Sequence, residues 1–432
     1  IEHILRNQVF GIGITELTSL ISRRSLYCSK YANGKYSIVQ FDDEQGNLKY
    51  FETEHTWEGN SCKYCGVSKE IYDRGEELES YSYSFIHSQN PEKLFNMKFD
   101  VIIGNPPYQM NDGGGTGDSA KPIYNQFIEK SIQLNPSYLT MIVPSRWMKG
   151  GKGLDSFREQ MKSDKSIQLI YDYEDGKQCF PSLNIDGGVC YFLWNKQHNG
   201  PVEYTFHSRN GDVLKSTRYL KTDFSDKIIR DNRQISIIEK VHQKSNNSFS
   251  SIVSSRNPFG FNSDFFNSPD RYLDVKFSSK PIEGYIKIHG VKGKKGGSKR
   301  VIGYVNPESI QRNIKDVDSY KLYFSKAYMT TSTVPPEIIL GTPKSICTET
   351  FLLIGTFNTL HEAQNCLKFI KTKFFRALLF FNRHSLNISK SSFDLIPYIP
   401  DLENISDSKL YELFDLTQEE IKYIDESIDY ME

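Results

Sequence analysis

The sequence predicts an α/β protein, a doubly wound sheet followed by a separate mixed α+β domain. Three observations carry that prediction. Between Val9 and Trp194 short β-branched runs alternate with stretches of helical periodicity, the pattern of strands joined by crossover helices. Beyond about Asn195 the alternation stops, and short β-like runs, turn clusters and basic patches continue to Pro400. A chain of 432 residues is also too long for one ordinary core.

Residues 9–15 (VFGIGIT) read as a buried strand. They feed a helix with Leu17, Leu20, Ile21 and Tyr27 at helical spacing and Thr15 as its N-cap. Residues 36–41 and 48–53 read as strands around a small insertion at about 50–90 that carries His55, Cys62 and Cys65. The main pattern resumes with a buried strand at 99–104, a Gly-rich loop at 111–118, an amphipathic helix at 123–134 and a strand at 138–143. A helix at 154–161 and strands at 167–173 and 188–194 follow. The tail 401–432 holds eleven Asp or Glu against two Lys, with Leu410, Leu413, Leu416, Ile421 and Ile424 as an apolar stripe. It reads as helices with a solvated acidic face. The expected division is therefore 1–195, 196–400 and 401–432.

Composition narrows the function. Hydrophobic residues at 38% and charged residues at 25% describe a globular chain, not a disordered one. Lys+Arg and Asp+Glu both number 53, so any site for a polyanion must come from uneven placement of charge. Aromatics at 13% supply many flat faces for stacking. Seven scattered cysteines, an odd number, point to a reducing cytoplasm and not to a disulfide framework. No apolar run reaches membrane-helix length, and no signal-peptide pattern opens the chain. The start at Ile1, already near a strand, predicts a fragment whose beginning lies elsewhere.

The segment that carries chemistry is Asp100-Val-Ile-Ile-Gly-Asn105-Pro106-Pro107-Tyr108. A β-branched strand running into Asn-Pro-Pro-Tyr puts a sharp turn beyond the carboxyl end of a strand, where open α/β sheets bind ligands. The amine of adenine is a poor nucleophile because its lone pair is delocalised into the ring. Two acceptors aimed at its hydrogens, the Asn105 side-chain oxygen and the Pro106 carbonyl, would pull that nitrogen toward a tetrahedral geometry. Consecutive prolines fix the backbone before substrate arrives. Tyr108 offers a face for a base taken out of the duplex.

This motif resembles the catalytic motif of the gamma-class adenine-specific DNA methyltransferases. The wider chain resembles the methylase family of combined restriction–modification enzymes, through residues 99–109, 122–127, 141–147 (MIVPSRW), 187–194 and 410–421. The resemblance implies a Rossmann-like methyltransferase sheet and S-adenosylmethionine as cofactor. It further implies double-stranded DNA as partner and a linked or partner restriction nuclease. Asn105, Pro106 and Tyr108 would handle the adenine, while Pro107 and Phe127 would pack against the cofactor. The family places a Gly-rich cofactor motif on the first strand, upstream of the catalytic motif, and this chain shows none. Phe10-Gly11-Ile12-Gly13 better matches the second strand, with Gly13 where an acidic residue holds the ribose and Glu16 a turn later. The sheet is therefore expected to be N-terminally truncated and the cofactor site incomplete.

Four further constellations stand outside that motif. His55, Cys62, Cys65 and His87 form either a structural zinc site, with knuckle spacing in Cys62-Lys-Tyr-Cys65-Gly66, or two reduced thiols and two surface histidines. The glycines at 113, 114, 115 and 117 lack the Gly-Lys-Ser/Thr ending of a phosphate loop and form either a lid or a plain loop. Lys292, Lys294, Lys295, Lys299 and Arg300 concentrate positive charge, as DNA phosphates require, or decorate a solvated hairpin tip. Arg256, in Arg-Asn-Pro-Phe-Gly-Phe, is a base-reading type beside two aromatics that either stack on bases or pack in a core. Two functions follow. One is an adenine-specific DNA methyltransferase whose residues 196–400 recognise the target; the other is a DNA-binding specificity fragment with no activity of its own.

Overall fold

Alternating apolar residues at 138–144, 167–173 and 189–195 become three seven-residue strands inside a six-stranded sheet. The computed structural model describes the chain except residues 73–81, 89–92, 94, 96, 111–120, 152, 186, 246, 273, 294–296, 328–331, 384–386, 402 and 432. It divides into two units, Ile1–Leu220 and Lys221–Glu432.

The first unit begins with α1 (Glu2–Asn7), β1 (Gly11–Ile12), α2 (Glu16–Tyr27), β2 (Leu48–Lys49), β3 (Trp57–Glu58), β4 (Ser61–Cys62), α3 (Lys69–Tyr72) and α4 (Ser84–His87). It continues with β5 (Val101–Gly104), β6 (Gln109–Met110), β7 (Lys121–Pro122), α5 (Tyr124–Gln133), β8 (Tyr138–Pro144), α6 (Asp155–Ser163) and β9 (Ile167–Tyr173). Strands β10 (Val189–Asn195), β11 (Val202–His207) and β12 (Val213–Arg218) complete it. The main sheet runs β12-β11-β9-β10-β8-β5. Pairs β5–β8 and β11–β9 are parallel, whereas β10 is antiparallel to both neighbours and β12 to β11. The α/β class holds, but the sheet is mixed. Because β11 and β12 extend this sheet, the first unit closes at Leu220 and not at Asn195.

Three local expectations need correction. Residues 36–41 form turns, because Val39 and Phe41 pack beside Tyr27 while Ile38 N–H bonds the Tyr27 carbonyl at 2.9 Å, leaving no ladder partner. Helix α2 starts at the expected cap, with Thr15 accepting from Thr18 N–H. It buries Ser19, Arg23 and Tyr27 and leaves Leu17 and Ile21 65% and 57% exposed. Polar anchors decide that rotation: Arg23 donates to the Glu44 carbonyl and Tyr27 Oη accepts from Asn47 N–H at 3.0 Å. Strand β5 is not buried but ends the sheet, with Val101 and Ile103 53% and 79% exposed.

The second unit has α7 (Asn232–Lys244), β13 (Phe277–Ser278), β14 (Ile286–Lys292), β15 (Lys299–Val305), β16 (Tyr320–Ser325), β17 (Ile339–Gly341), β18 (Ser345–Cys347) and β19 (Phe351–Phe357). Helices α8 (Leu360–Lys371), α9 (Lys373–Asn382), α10 (Asp407–Leu413) and α11 (Gln418–Ser427) follow. Sheets β13-β15-β14-β18 and β17-β16-β19 with these helices make the expected mixed α+β architecture. The acidic tail forms the expected helices, with Glu412, Asp415, Glu419, Asp425 and Glu426 exposed. Leu410, Tyr411, Phe414, Ile424 and Ile428 enter the unit's core, and Leu413 alone of the expected stripe is exposed. Three of its acids also pair with lysines of the same unit: Glu420 with Lys240 and Asp425 with Lys373, both at 2.7 Å, and Asp415 with Lys244.

In the first unit, Asp172 lies fully buried on β9 and accepts from Ser145 Oγ at 2.6 Å and Tyr204 Oη at 2.7 Å. Asp172→Ala leaves both hydroxyls without that acceptor and should cost about 2–4 kcal/mol; Tyr204→Phe should cost about 1–2 kcal/mol. Urea unfolding of the two variants checks both values. Equal losses would show that the carboxylate matters only through Tyr204.

Candidate active site

Neither Pro106 nor Pro107 has an N–H to donate, so the strand ladder cannot continue beyond Asn105. The register Val101↔Tyr138 to Gly104↔Met141 brings the carboxyl ends of β5 and β8 out side by side. The Asn105–Tyr108 turn follows β5 at this end of the sheet, and the 3-10 turn Ser145–Met148 follows β8. The first of these runs into the β6–β7 pair, and the Tyr108 carbonyl accepts from Ile123 N–H at 3.3 Å. Asn105 is exposed, Pro106 buried, and Pro107 and Tyr108 half-buried. Burial pushes the Tyr108 phenol up to about 12, with Cys190 and Cys179 adding to the shift. Tyr108 Oη, Tyr124 Oη and Trp147 Nε1 are buried with no hydrogen-bond partner among the described residues.

Beside the turn lies a cavity of about 330 Å³, within the range of small-ligand pockets. Asn105, Pro106 and Phe127 line it; Pro107 and Tyr108 do not. Its floor contains Gly13 and Gly104. A Cβ on Gly13 would sit 1.9 Å from Ser19 Oγ, and one on Gly104 would sit 3.2 Å from Met141, so glycine permits the close packing there. Phe85 stacks on Phe127 at 5.7 Å with the rings 19° apart, and Tyr83 adds a tilted contact at 5.8 Å. Sequence reasoning missed Phe85, although Tyr81, Tyr83 and Phe85 alternate with serines in that stretch. The stacked rings and apolar walls fit a flat purine. No Asp or Glu is among the lining residues, so carboxylate acceptors for a ribose diol or an ammonium group are not part of this wall.

The insertion brings its four predicted residues together. The ligand atoms of His55, Cys62, Cys65 and His87 all lie within 4.8 Å of one another. The basic segment is spread differently. Lys292 and Lys299 face each other across the β14–β15 hairpin, both exposed, and Arg300 is opposite Val291. Arg300 pairs with Glu337 at 2.9 Å, and Arg256 pairs with the buried carboxylate of Glu349. Lys294, Lys295 and the glycines at 113–117 lie outside the described residues. Phe259 and Phe261 are buried in the core, which settles their place: they stack on protein and not on bases.

Residues 7–180 of this chain match the family model of the Eco57I restriction-modification methylase, a stretch that includes the Asn105–Tyr108 turn. The chain is 39% identical over 223 residues to an uncharacterized adenine-specific methylase of Mycoplasma pneumoniae (strain ATCC 29342 / M129 / Subtype 1), a match covering 46% of this chain and 53% of that relative. It is 34% identical over 111 residues to the type II restriction enzyme and methyltransferase RM.Eco57I of Escherichia coli, covering 21% of this chain and 11% of that one. The match thus spans about half the length of the first relative and about a tenth of the second. Among solved structures, the DNA-bound ATP-dependent type ISP restriction-modification enzyme LlaBIII is similar at 12% identity and TM-score 0.44, over 99% of this chain and 34% of that chain. The type IIG restriction endonuclease BpuSI is similar at 13% identity and TM-score 0.30, over 73% and 48%.

The close approach at Gly13 yields a test. Gly13→Ala should destabilise the first unit by about 1–3 kcal/mol through overpacking against Ser19. Adding Ser19→Ala removes the nearest atom and should restore part of the loss, measured by thermal unfolding. No recovery in the double variant would place the strain elsewhere.

Proposed function

We propose that this protein takes part in transferring a methyl group from S-adenosylmethionine to the N6 amine of an adenine turned out of double-stranded DNA. The system is one of restriction–modification, with a linked or partner nuclease, acting in the cytoplasm. The observation that carries the reading is the rigid Asn105–Tyr108 turn at the carboxyl end of β5, open on one side to the cavity. We read β5 to β12 as part of a Rossmann-like methyltransferase sheet, with residues 221–432 as the target-recognition unit.

When bound, the cofactor supplies an electrophilic methyl on a sulfonium. The protein's part is to hold the amine and raise its nucleophilicity. Asn105 Oδ1 and the Pro106 carbonyl each accept one amine hydrogen, which favours a tetrahedral nitrogen with its lone pair directed outward. Exposure of Asn105 leaves its amide accessible to an incoming base. The proline pair holds both acceptors in place, so little reorganisation is needed when the base arrives. The half-buried Tyr108 ring supplies a face to the extruded base. Phe127 and Phe85 would flank the cofactor's purine. Pro107 would act only by setting the backbone, since it is not part of the cavity wall. A specificity fragment without chemistry is not favoured, because the family match includes the catalytic turn.

Phosphate contacts are assigned to the β14–β15 hairpin. Like charges directly opposite each other on neighbouring strands are destabilising, so the Lys292–Lys299 pair is better explained by a polyanion than by folding. Arg256 and Arg300 would exchange a carboxylate partner for DNA on binding.

Asn105→Ala should lower methylation by about two or more orders of magnitude, as loss of one preorganised hydrogen-bonding group does, while DNA affinity is retained. The check is mapping of methylated adenines in DNA exposed to each protein. A wild-type rate in the variant, or methyl groups on cytosine, would overturn the assignment. Lys292→Ala/Lys299→Ala should weaken cognate and scrambled duplexes alike and flatten the log–log salt dependence by about two units. An unchanged slope returns the hairpin to plain solvent. With no carboxylate on the cavity wall, this chain alone should bind S-adenosylmethionine more weakly than micromolar by calorimetry, and micromolar binding would show the site to be complete.

A further inference from the structure

We propose that His55, Cys62, Cys65 and His87 hold one Zn2+ in a closed four-ligand site, and that this metal fixes the aromatic wall of the cavity. The claim about the metal stands apart from the methyl-transfer reading; only the wall's meaning for a cofactor rests on it.

The four residues come from three places in the chain: His55 in an extended segment, Cys62 at the end of β4 with Cys65 in the turn that follows it, and His87 at the end of α4. Cys62, Cys65 and His87 are buried, and His55 is half-buried. Bond lengths of a tetrahedral zinc centre place neighbouring ligand atoms about 3.3–3.8 Å apart. The structure has His87 Nε2 3.2 Å from His55 Nδ1 and Cys65 Sγ 3.4 Å from His55 Nδ1. Two thiolates and two neutral imidazoles cancel the charge of one Zn2+, which suits an apolar surrounding of Val67, Ile86 and Ile123.

The surroundings orient the ligands as a metal requires. His87 Nδ1–H donates to the Tyr83 carbonyl at 2.9 Å, so the neutral ring carries its free lone pair on Nε2, the nitrogen that faces the cluster. Gly66 adopts φ +65°, which turns the Val67 N–H onto the Cys65 thiol, while Gly66 N–H bonds the Cys62 carbonyl at 2.9 Å. That is a metal knuckle built from the Cys62–Gly66 spacing. Four protein ligands leave no position for water or substrate, which separates a structural site from a catalytic one.

The metal would connect elements too small to hold themselves. Strands β3 and β4 have two residues each and α4 has four, below the length at which backbone bonds alone sustain either structure. Yet α4 and the residue before it present Tyr83, Ser84 and Phe85 to the cavity. On the other side, Lys121 Nζ donates to the Cys65 carbonyl at 2.9 Å and Gln126 reaches the same oxygen at 3.5 Å. The knuckle is thereby fastened to β7 and α5, which carries Phe127. Through His87 the metal would fasten α4, so that Phe85 and Phe127 are held face to face.

Elemental analysis of the purified protein, dialysed without chelator, should give about one zinc per chain. Replacement by Co2+ should give tetrahedral d–d bands with a thiolate charge-transfer band. His87→Cys should keep the metal and alter that spectrum toward three thiolates, whereas Cys62→Ser/Cys65→Ser should lose it. Stripping zinc from the wild type should speed amide exchange in residues 55–67 and 83–88 while leaving β8 unchanged. Folded protein that takes up no zinc or cobalt, or metal retained by the double serine variant, would overturn the site. Metal present with exchange at 83–88 unchanged on its removal would overturn its role in the wall, whatever is found for methylation.

Discussion

The first unit is organised around a backbone that cannot continue a sheet. Strand β5 pairs with β8 for four residues, and after Asn105 come two consecutive prolines with no N–H to donate to a ladder. Everything placed near the site follows from that stop. The chain must turn at the carboxyl ends of two parallel strands, and it turns with φ fixed at two consecutive positions. Tyr108 is then carried toward Cys190 on β10, and the Ile123 N–H closes the turn from the other side. A flexible loop of the same composition would have to order itself around each substrate. Here that entropy is lost on folding, before any substrate is present.

The cost of that arrangement falls on the cavity's other wall. Edge strand β5 contributes one side, with Val101 and Ile103 open on its exposed flank. Opposite it stand the Gly11–Gly13 segment and α4, both parts of very short elements. Stability in such pieces comes from side-chain packing and local cross-links, because too few backbone bonds exist to share the loss of chain entropy. The aromatic stack of Phe85 on Phe127, the Cys-His cluster behind it and the edge contacts of Phe10 with Phe95 and Phe99 supply such cross-links. The Gly13 contact with Ser19 shows the same economy of space, with backbone packed against a helix side chain where a Cβ does not fit.

How much of this was legible in the sequence depended on which force fixed each piece. Strands β8, β9 and β10 were readable because burial alone sets their pattern, and the Asn-Pro-Pro-Tyr turn was readable because prolines act locally. The Thr15 cap was readable for the same reason, but the rotation of α2 was not. Arg23 and Tyr27 find backbone partners in residues 44–47, and those long-range bonds outrank the apolar positions Leu17 and Ile21. Residues 36–41 alternate like a strand, yet alternation says nothing about whether a partner strand exists. The Cys62–Cys65 pair announced itself by spacing, whereas the approach of His55 and His87 depends on tertiary folding. Phe85 ends an alternating Tyr-Ser-Tyr-Ser-Phe run, but alternation does not announce its tertiary contact with Phe127.

Charge shows the same division between local and distant causes. The acidic tail looked like a solvated face because residues 401–432 contain so few bases of their own. The structure supplies three bases from elsewhere in the second unit, Lys240 and Lys244 on α7 and Lys373 on α9, so three of the acids help hold the helices in place. That pairing has a consequence for a protein with no net charge. Three lysines are neutralised in folding contacts, and Arg256 and Arg300 are engaged by Glu349 and Glu337. Among the described residues of the predicted basic segment, Lys292 and Lys299 are left exposed in register, each other's cross-strand neighbour. Neither gains anything from the other, since like charges in that position repel. A pair kept at such a cost in an otherwise balanced unit concentrates positive potential on one hairpin, and a phosphate backbone is the partner that such a concentration suits.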